Sequence, residues 1–494
     1  MILPSTFFQD LLTADYWHNH GTTIVITLFL ISALTCYACR KPKAQSLPPG
    51  PPGPQSSGIS YHWTQTSTLT SPAWPRPTAQ FSSSNSQQAR HRADFTGRGR
   101  QVLKDHDTVF ANRDVLAAGR VSSYGGSDIV WNPYGPEWRM LRKVCVLKML
   151  SNTTLDSVYN LRRKEMRKTV AHLHEPAGSP VNVGEQGFRT VMNVVTNMMW
   201  GGAVEGAERE RLAVEFRELA SEMTLLLGKP NVSDFFPSWH GSICKRSDEG
   251  QEKKDFLQFL LNLKEEASGD DSKTPFTITH VKALLIDMVV GGTDTSSNTI
   301  EFAMAEILRK PEVMKKVQEE LESVIGKDNM VEESHIHKLP YLQAVMKETL
   351  RLHPTVPLMV PHCPSETTTV GGYTIPKGSR VFVNVWAIHR DPSIWEQPLE
   401  FDPSRFLDTK WDFSGKDFNY FPFGSGRRIC AGILMAERTV LYFLATLLHT
   451  FDWTIPQNEK LDVSEKFGII LKMKTPLLAI PTPRISIPDF YKQS

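Results

Sequence analysis

The stretch PFGSGRRICAG, Pro422–Gly432, decides how the whole sequence is interpreted. It sets Cys430 in a loop that also contains Gly424, Gly426 and Gly432. Glycines permit the tight turns that bring a backbone close to a flat group. The amides of such a loop can hydrogen-bond a thiolate and tune its donation to a metal. The stretch therefore predicts either a metal-ligating thiolate or a buried cysteine in a glycine-rich turn.

The same stretch resembles the cysteine loop of the cytochrome P-450 superfamily, F-x-x-G-x-R-x-C-x-G. The five matching residues are Phe423, Gly426, Arg428, Cys430 and Gly432. The resemblance implies a heme b cofactor whose iron takes the Cys430 thiolate as its axial ligand, so that Cys430 is also the metal-binding residue. It further implies that Phe423 shields the sulfur from water and that Arg428 pairs with a heme propionate. Five matches at fixed spacing argue against the buried-cysteine alternative.

A long helical pattern lies upstream of this loop. It runs from Thr279 to Arg309, follows a threonine cap and stops before Pro311. As a helix it would extend roughly 45 Å. Gly291 and Gly292 stand at its centre, where each glycine costs a helix about 1 kcal/mol. The pair predicts close approach of a flat group, a local widening of the helix or close packing against another helix.

Within that helix, GGTDTS at Gly291–Ser296 resembles the oxygen-activating segment of the superfamily. The resemblance implies that Thr295 donates a hydrogen bond to the bound dioxygen and that Asp294 relays protons. An Asp-Thr pair alone is weak evidence, but its place in this helix, upstream of the cysteine loop, strengthens it. Asp294 and Thr295 are therefore the predicted catalytic residues.

A further motif, ETLR, resembles the E-x-x-R of the superfamily. Its i, i+3 spacing puts Glu348 and Arg351 on one helix face. With Arg405 of DPSRF, they are expected to form a buried cluster that fixes the scaffold of the cysteine loop. The superfamily usually has glutamate where this chain has Ser404. The alternative for Glu348 and Arg351 is an ordinary surface salt bridge.

Three more residues match positions that contact heme propionates in the superfamily. Trp138 and Arg142 belong to WRMLR and resemble W-x-x-x-R, while His362 follows PLMVP. A solvated residue is the alternative for each. By family position, substrate contacts are expected from Val115–Trp131, Ala283–Thr295, Thr355–Val360 and Phe467–Ile470.

The resemblance also implies the fold class, which is mainly α with small β-sheets. It covers about Asp105 to the C-terminus, and residues 101–494 are the predicted heme-binding monooxygenase domain. The stretch GGYTIPKGSRVFVN, Gly371–Asn384, predicts turns and short strands and hence a small sheet. Between Phe236 and DFLQFLLNLK only a short polar stretch stands where the family has a long helix. This departure predicts a truncated lid over the substrate.

Within the superfamily, the sequence resembles plant microsomal terpenoid and flavonoid hydroxylases. The resemblance implies insertion of one atom of dioxygen into a lipophilic plant secondary metabolite. Electrons would come from NADPH through a separate NADPH–cytochrome P-450 reductase, which agrees with the absence of a Rossmann glycine fingerprint. One alternative is a heme-thiolate isomerase or dehydratase that does not use dioxygen, against which Asp294 and Thr295 argue. Another is a non-functional product of a damaged gene model.

Charge and cysteine content restrict the partners and the compartment. The 494 residues carry 55 Lys plus Arg and 53 Asp plus Glu, so no basic excess suggests a nucleic-acid partner. The six cysteines are scattered and predict no disulfide framework. This pattern fits a reducing compartment.

The N-terminus predicts a membrane anchor. Thr22–Cys39 is uncharged and mostly apolar, and as a helix it would span roughly 27 Å, near the thickness of a bilayer core. Basic residues follow at once in a basic, Pro-rich hinge at 40–54, which puts residues 1–21 in the lumen and the catalytic domain in the cytosol. We therefore expect a single-pass protein of the endoplasmic reticulum membrane. A cleaved signal peptide would need the opposite order of charges.

Residues 55–100 do not fit the rest of the domain. They are rich in Ser, Thr, Gln and Pro and have no periodicity, which predicts a loop or disorder. Codons can be chosen for Gly58–Ser86 and for Ser86–Arg100 whose shifted frames encode peptides like those that plant family members carry here. This leads to the hypothesis of a reading-frame artefact, with a genuine insertion as the alternative.

Overall fold

The computed structural model describes residues 95–115, 117–175, 177–200, 222–223 and 275–485. Within these residues, helices surround one long central helix, and three small antiparallel sheets lie at the edges. The α-helices are α1 (Phe95–Arg100), α2 (Ala117–Ser122), α3 (Pro136–Val144), α4 (Asn152–Ser157), α5 (Tyr159–His174), α6 (Val183–Trp200), α7 (Ile278–Arg309), α8 (Pro311–Ile325), α9 (Pro340–Leu352), α10 (Val385–Ile388) and α11 (Ile433–Thr450). The strands are β1 (Val181–Asn182), β2 (Thr368–Val370), β3 (Tyr373–Ile375), β4 (Phe451–Thr454), β5 (Glu465–Lys466), β6 (Lys472–Met473) and β7 (Leu478–Pro483). The predicted fold class, mainly α with small sheets, is confirmed.

The central helix α7 starts and stops where the sequence signals it. The side chain of Thr277 accepts a hydrogen bond from the His280 amide at 3.3 Å, and His280 Nδ1 accepts one from the Thr277 amide at 3.1 Å. This reciprocal cap places the first helical residue at Ile278, one position before the predicted start. Pro311 lacks an amide hydrogen and cannot continue the helix, so α7 ends at Arg309.

The two glycines at the centre of α7 have different surroundings. A Cβ at Gly292 would lie 3.4 Å from the Val195 side chain of α6, so this glycine permits close helix packing. A Cβ at Gly291 would meet no described atom within 4 Å. Gly291 therefore leaves open space on the helix face that also carries Thr295. Since α7 is a regular α-helix throughout, the predicted local widening is wrong.

The core is formed where α7 packs against α6, α9 and α11. Phe302 of α7 and Leu444 of α11 are among its buried side chains. Burying a side chain of this size contributes roughly 1.5–3 kcal/mol. From Thr439 to Thr450 every residue of α11 is buried, so this helix runs through the interior directly after the cysteine loop.

The sheets are small, as predicted from Gly371–Asn384. Strand β7 lies between β1 and β4 in one sheet, and β2 pairs with β3 in a second. Val381 contributes only an isolated bridge to His362. In the third sheet β5 pairs with β6, with Glu465 opposite Met473. The β5–β6 hairpin contacts α7, the helix that carries Asp294 and Thr295.

One expectation drawn from composition needs correction. A loop or disorder was expected for residues 55–100, but their last six residues form α1 and continue into a π-helical turn, Gln101–Asp105. Val102 and Leu103 are buried in a cluster with Phe421, and the Gln101 side chain accepts a hydrogen bond from the Gly371 amide at 2.7 Å. These tertiary contacts outweigh the unfavourable local composition.

Several predicted segments lie outside the described residues. They are residues 1–21, the anchor 22–39, the hinge 40–54, residues 55–94 and the shortened lid that follows Phe236. In the part of the chain that the structure describes, no helix combines the length and apolar character needed to cross a bilayer.

Candidate functional site

The loop before α11 fixes Cys430 through two backbone amides, one of which contacts its sulfur. The Cys430 amide donates to the Phe423 carbonyl at 2.9 Å. The Gly432 amide donates to Cys430 Sγ at 3.3 Å, and Gly432 is also the N-cap of α11. A sulfur at the N-terminus of a long helix lies at the positive end of its dipole, which favours a thiolate.

Cys430 is exposed although protein surrounds it on most sides. Desolvation by this surrounding protein raises the pKa of the Cys430 thiol, while the Gly432 amide and the Arg142 guanidinium act in the opposite direction. An exposed sulfur in concave surroundings leaves room for a group bound above the loop. A cationic iron would stabilise the thiolate against this desolvation.

The glycines of the loop are required by its geometry. Gly426 has a φ of 67°, and a Cβ there would lie 2.4 Å from the Leu103 carbonyl oxygen. Gly424 has a φ of 76°, and its Cβ would lie 2.8 Å from the Met359 side chain. Both positions combine left-handed backbone with a close approach, so an L side chain would displace the loop that carries the cysteine.

The Arg428 guanidinium ties this loop to the segment before α3. It donates to the carbonyls of Ala111 and Asn132 at 2.6 Å each and to that of Ile129 at 3.1 Å. Burial lowers the pKa of Arg428 to about 10. The predicted pairing of Arg428 with a propionate stays a prediction, and the backbone contacts give this arginine a bracing role as well.

Two guanidinium groups lie near the ring system of Trp138. Its indole Nε1 donates to the Ile129 carbonyl at 3.0 Å. The guanidinium carbon of Arg428 lies 4.5 Å from the centre of the Trp138 ring system, and that of Arg142 lies 5.8 Å from it. The structure thus brings three of the predicted propionate contacts into one group of side chains.

His362 supplies a buried nitrogen without a partner. Its Nδ1 lies 2.8 Å from the Phe110 carbonyl oxygen, whereas its Nε2 has no hydrogen-bond partner among the described residues. Burial, followed by the charge of Arg113, lowers the pKa of His362 to about 3. A buried polar atom of this kind is costly unless a ligand or water satisfies it.

Arg113 was missed by the sequence reasoning. It is buried, and its Nη1 donates to the carbonyls of Val360 at 2.7 Å and Pro361 at 2.8 Å. Burial, followed by the charge of Arg428, lowers the pKa of Arg113 to about 9. A lone arginine in the loop sequence FANRD is typical of a solvated residue, so only its burial singles it out.

These observations test whether the site fits heme. The propionates are two carboxylates, and the site offers a buried cluster of basic side chains together with the unsatisfied Nε2 of His362. The exposed Cys430 thiol offers the axial ligand. The residues present therefore fit the group, with Arg113, Trp138, Arg142, His362 and Arg428 as its candidate propionate partners.

The predicted catalytic pair lies in α7. The Thr295 hydroxyl is half-buried and donates to the Gly291 carbonyl at 2.7 Å. Asp294 is buried, and its Oδ2 lies 2.7 Å from the ammonium nitrogen of Lys472 in β6. Sequence reasoning missed Lys472, because no motif links β6 to α7.

The E-x-x-R residues form one fully buried group. Arg351 Nε lies 2.6 Å from Glu348 Oε2, and its Nη2 lies 2.8 Å from Oε1. Arg405 Nε is 3.4 Å from Glu348 Oε1. Neither Glu348 nor Arg351 is exposed to solvent, so they are not a surface salt bridge. Arg351 also donates to the carbonyls of His389, Pro398 and Glu400.

A model of the cytochrome P-450 family matches residues 99–480. The chain belongs to the cytochrome P-450 family. Members of this family bind heme through a cysteine thiolate, and the chain is accordingly a heme-thiolate monooxygenase.

Among curated cytochromes P-450, the chain is similar to plant hydroxylases. A flavonoid 3'-monooxygenase of Arabidopsis thaliana is 39% identical over 79% of this chain and 82% of the relative. A flavonoid 3'-monooxygenase of Crocosmia x crocosmiiflora is 36% identical over 93% of this chain and 98% of the relative. A geraniol 8-hydroxylase of Catharanthus roseus is 37% identical over 78% of this chain and 83% of the relative. The chain thus resembles hydroxylases of two different substrate classes.

A solved structure of a zebra fish cytochrome P-450 with progesterone has the same fold. It superposes with a TM-score of 0.67 and 25% identity, covering 79% of this chain and 92% of that one. The fold of this chain is therefore the cytochrome P-450 fold.

Proposed function

We propose that this cytochrome P-450 hydroxylates a lipophilic plant secondary metabolite of the flavonoid or terpenoid class. The observation that carries the reaction class is the exposed Cys430 thiol, held by the Gly432 amide at the start of α11 beside a cluster of buried basic groups. The relatives named as flavonoid 3'-monooxygenases and geraniol 8-hydroxylases support the substrate class.

The residues that hold the cofactor follow from this proposal. Heme, when bound, supplies the iron at which dioxygen is activated. Cys430 would provide the thiolate ligand, and Phe423 and Gly432 hold this cysteine in place through the backbone contacts of the loop. Arg142 and His362 serve the propionates together with the other basic residues around Trp138.

Asp294 and Thr295 handle protons in this proposal. The Thr295 hydroxyl donates to Gly291 in the structure and can turn its proton into the open space on that helix face. The Asp294 carboxylate, paired with the partly exposed Lys472, can take up a proton from solvent and pass it to the hydroxyl oxygen as the hydroxyl gives up its own. An isomerase or dehydratase that does not use dioxygen has no need of such a pair, so its presence favours the monooxygenase.

The electron donor and the location complete the proposal. Electrons come from NADPH through NADPH–cytochrome P-450 reductase at the endoplasmic reticulum membrane, with residues 22–39 as the anchor. Deleting Met1–Arg40 is expected to move the protein out of the membrane fraction while the heme is retained. Loss of heme on this deletion would contradict the view that the anchor is a separate module.

Turnover with the supplied reductase tests the reaction. Geraniol and a 4'-hydroxyflavanone serve as probes, and product is measured against NADPH consumed. Thr295→Ala should lower product per NADPH markedly, since proton delivery typically contributes about 10²–10⁴-fold to the rate. Thr295→Ser keeps a hydroxyl and should therefore form more product per NADPH than Thr295→Ala. If wild type binds heme but converts neither probe, the substrate class is wrong. If Thr295→Ala matches wild type, Thr295 has no role in proton delivery.

A further inference from the structure

Away from the cysteine loop, a buried histidine lies between two carboxylates. His353, which follows α9, has its Nδ1 2.7 Å from Glu465 Oε1 and its Nε2 2.9 Å from Glu306 Oε1. Phe302 stacks on the imidazole with ring centres 4.2 Å apart. The two ring nitrogens are thus within hydrogen-bond distance of one carboxyl group each. The imidazole therefore bridges Glu306 and Glu465.

The two carboxylates belong to different elements. Glu306 is fully buried in α7, and Arg309 pairs with it one turn later. Glu465 begins β5 and also accepts a hydrogen bond from Arg390 at 2.7 Å. Burial raises the pKa of Glu465, but the contacts with His353 and Arg390 outweigh it and leave that pKa below its usual value. The bridge therefore joins a carboxyl group on α7 to one on the hairpin.

The hairpin made by β5 and β6 contacts α7 a second time. Lys472 of β6 pairs with Asp294 at 2.7 Å, and the Leu471 amide donates to the Thr355 carbonyl at 2.8 Å. The sequence separation of Asp294 and Glu306 places the two attachments roughly 18 Å apart along the helix axis. Because Lys472 directly follows the turn between β5 and β6, this turn lies close to the ion pair with Asp294.

We propose that His353 is a positioning residue for the substrate. By bridging Glu306 and Glu465, it fixes the hairpin 465–473 against α7 and thereby sets how a substrate is oriented beside Thr295. Without the imidazole, Glu306 and Glu465 lose the group that both contact, and the hairpin is held through Lys472, Arg390 and Trp386. The proposal rests on the proposed function, because it requires a substrate at that face of α7.

Hydrogen–deuterium exchange of the heme-loaded protein tests the bridge directly. His353→Gln should make the amides of 465–473 exchange about tenfold faster, the size expected for losing one charge-assisted hydrogen bond. The matched control is His449→Gln, since His449 is also fully buried but contacts the Gly326 carbonyl instead. The control should leave exchange in the hairpin unchanged. Equal exchange in His353→Gln and wild type would overturn the bridge.

Substrate orientation is measured by binding and by product positions. In His353→Gln the affinity for geraniol or a 4'-hydroxyflavanone should fall about tenfold, and the ratio of hydroxylation positions should change. Glu465→Gln should change both quantities at least as much, because it also weakens the contact with Arg390, and adding His353→Gln to it should change little further because the His353–Glu465 contact is already weakened. An unchanged position ratio in both single variants would contradict the positioning role.

Two outcomes separate this proposal from the proposed function. If His353→Gln fails to bind heme, Glu465→Gln is used for the same exchange and product measurements, and wild-type behaviour there overturns the proposal. If wild type converts neither probe, the substrate class fails. The exchange of 465–473 still decides whether His353 holds the hairpin.

Discussion

The ammonium group of Lys472 lies 2.7 Å from the carboxylate of Asp294, the residue directly before Thr295 in α7. The Asp294 side chain is 8% exposed and that of Lys472 is 30% exposed. The lysine therefore connects a buried carboxylate to solvent. A buried carboxylate that loses its partner is costly, so the pair also fixes the direction in which Asp294 points.

Lys472→Met is expected to uncouple turnover. Without the ammonium group, Asp294 loses its anchor and delivers protons poorly, so that product per NADPH should fall about tenfold or more. Lys472→Arg keeps the charge, so its product per NADPH should fall less. The control is Lys474→Met, because Lys474 is exposed and lies directly after β6. The expectation fails if the Lys472→Met and Lys474→Met variants show the same ratio of product to NADPH.

The buried Asp128 and the half-buried Asp287 form a pair of carboxyl groups beside the segment that leads into α3. Asp287 Oδ2 accepts the Ile129 amide at 2.9 Å, and Asp128 Oδ1 accepts the Trp131 amide at 2.7 Å. Burial raises the pKa of Asp128 to about 6. Burial, followed by the charge of Asp128, raises the pKa of Asp287 well above its usual value. The pair therefore retains a proton at pH values at which an isolated aspartate has released its own.

This pair predicts a specific dependence of stability on pH. The pKa of Asp128 is higher in the folded protein than in the unfolded chain. Its contribution to the free energy of unfolding is therefore fully present below about pH 4 and is lost as pH rises through about 6. The free energy of unfolding of wild type relative to Asp128→Asn should therefore fall between these values, by about 3 kcal/mol at most. Denaturant titrations at several pH values measure it, with the exposed Asp328→Asn as control. A difference that does not change with pH would contradict the raised pKa.

Arg351→Met is expected to destabilise the scaffold of the cysteine loop. It leaves the Glu348 carboxylate buried without its bidentate partner, which typically costs about 3–5 kcal/mol. Arg405→Met should cost less, because Arg405 lies 3.4 Å from Glu348 and is partly exposed. Denaturant unfolding and the amount of bound heme measure both variants. Wild-type stability in Arg351→Met would show that the cluster does not hold the fold.

The sequence could predict the elements whose signals are local. The cap of α7, its end before Pro311 and the grouping of Glu348 with Arg351 all follow from residues close together in the chain. Lys472, by contrast, meets Asp294 across a large sequence separation, and nothing in either segment marks the other. The same holds for His353 between Glu306 and Glu465. Contacts of this kind depend on how the elements pack, which periodicity and motifs do not encode.

Burial likewise separates residues that look alike in sequence. Arg113 and the exposed Arg120 both stand in the segment after α1, yet only Arg113 is buried against backbone carbonyls. The adjacent Gly291 and Gly292 differ in the same way, since only Gly292 packs against α6. Composition misled at Phe95–Arg100, where tertiary contacts produce a helix.

The nucleotide sequence tests the hypothesis of a reading-frame artefact in residues 55–100. We expect the codons for Gly58–Ser86, read in one shifted frame, to encode a peptide containing Tyr-Gly-Pro before a strand-like run. The codons for Ser86–Arg100 should encode an alternating apolar segment in the other frame. If neither peptide is found, the segment is a genuine insertion, and the hypothesis is wrong.

The absorption spectrum of the reduced protein with carbon monoxide tests the central claim most directly, because it reports whether a thiolate binds the heme iron. Wild type should show the red-shifted band, and Cys430→Ala should lose it. Cys145→Ala and Cys363→Ala should keep it, since Cys145 is buried in the core and Cys363 lies in a bridge to Ala111. A normal red-shifted band in Cys430→Ala would contradict the assignment of Cys430 as the axial ligand.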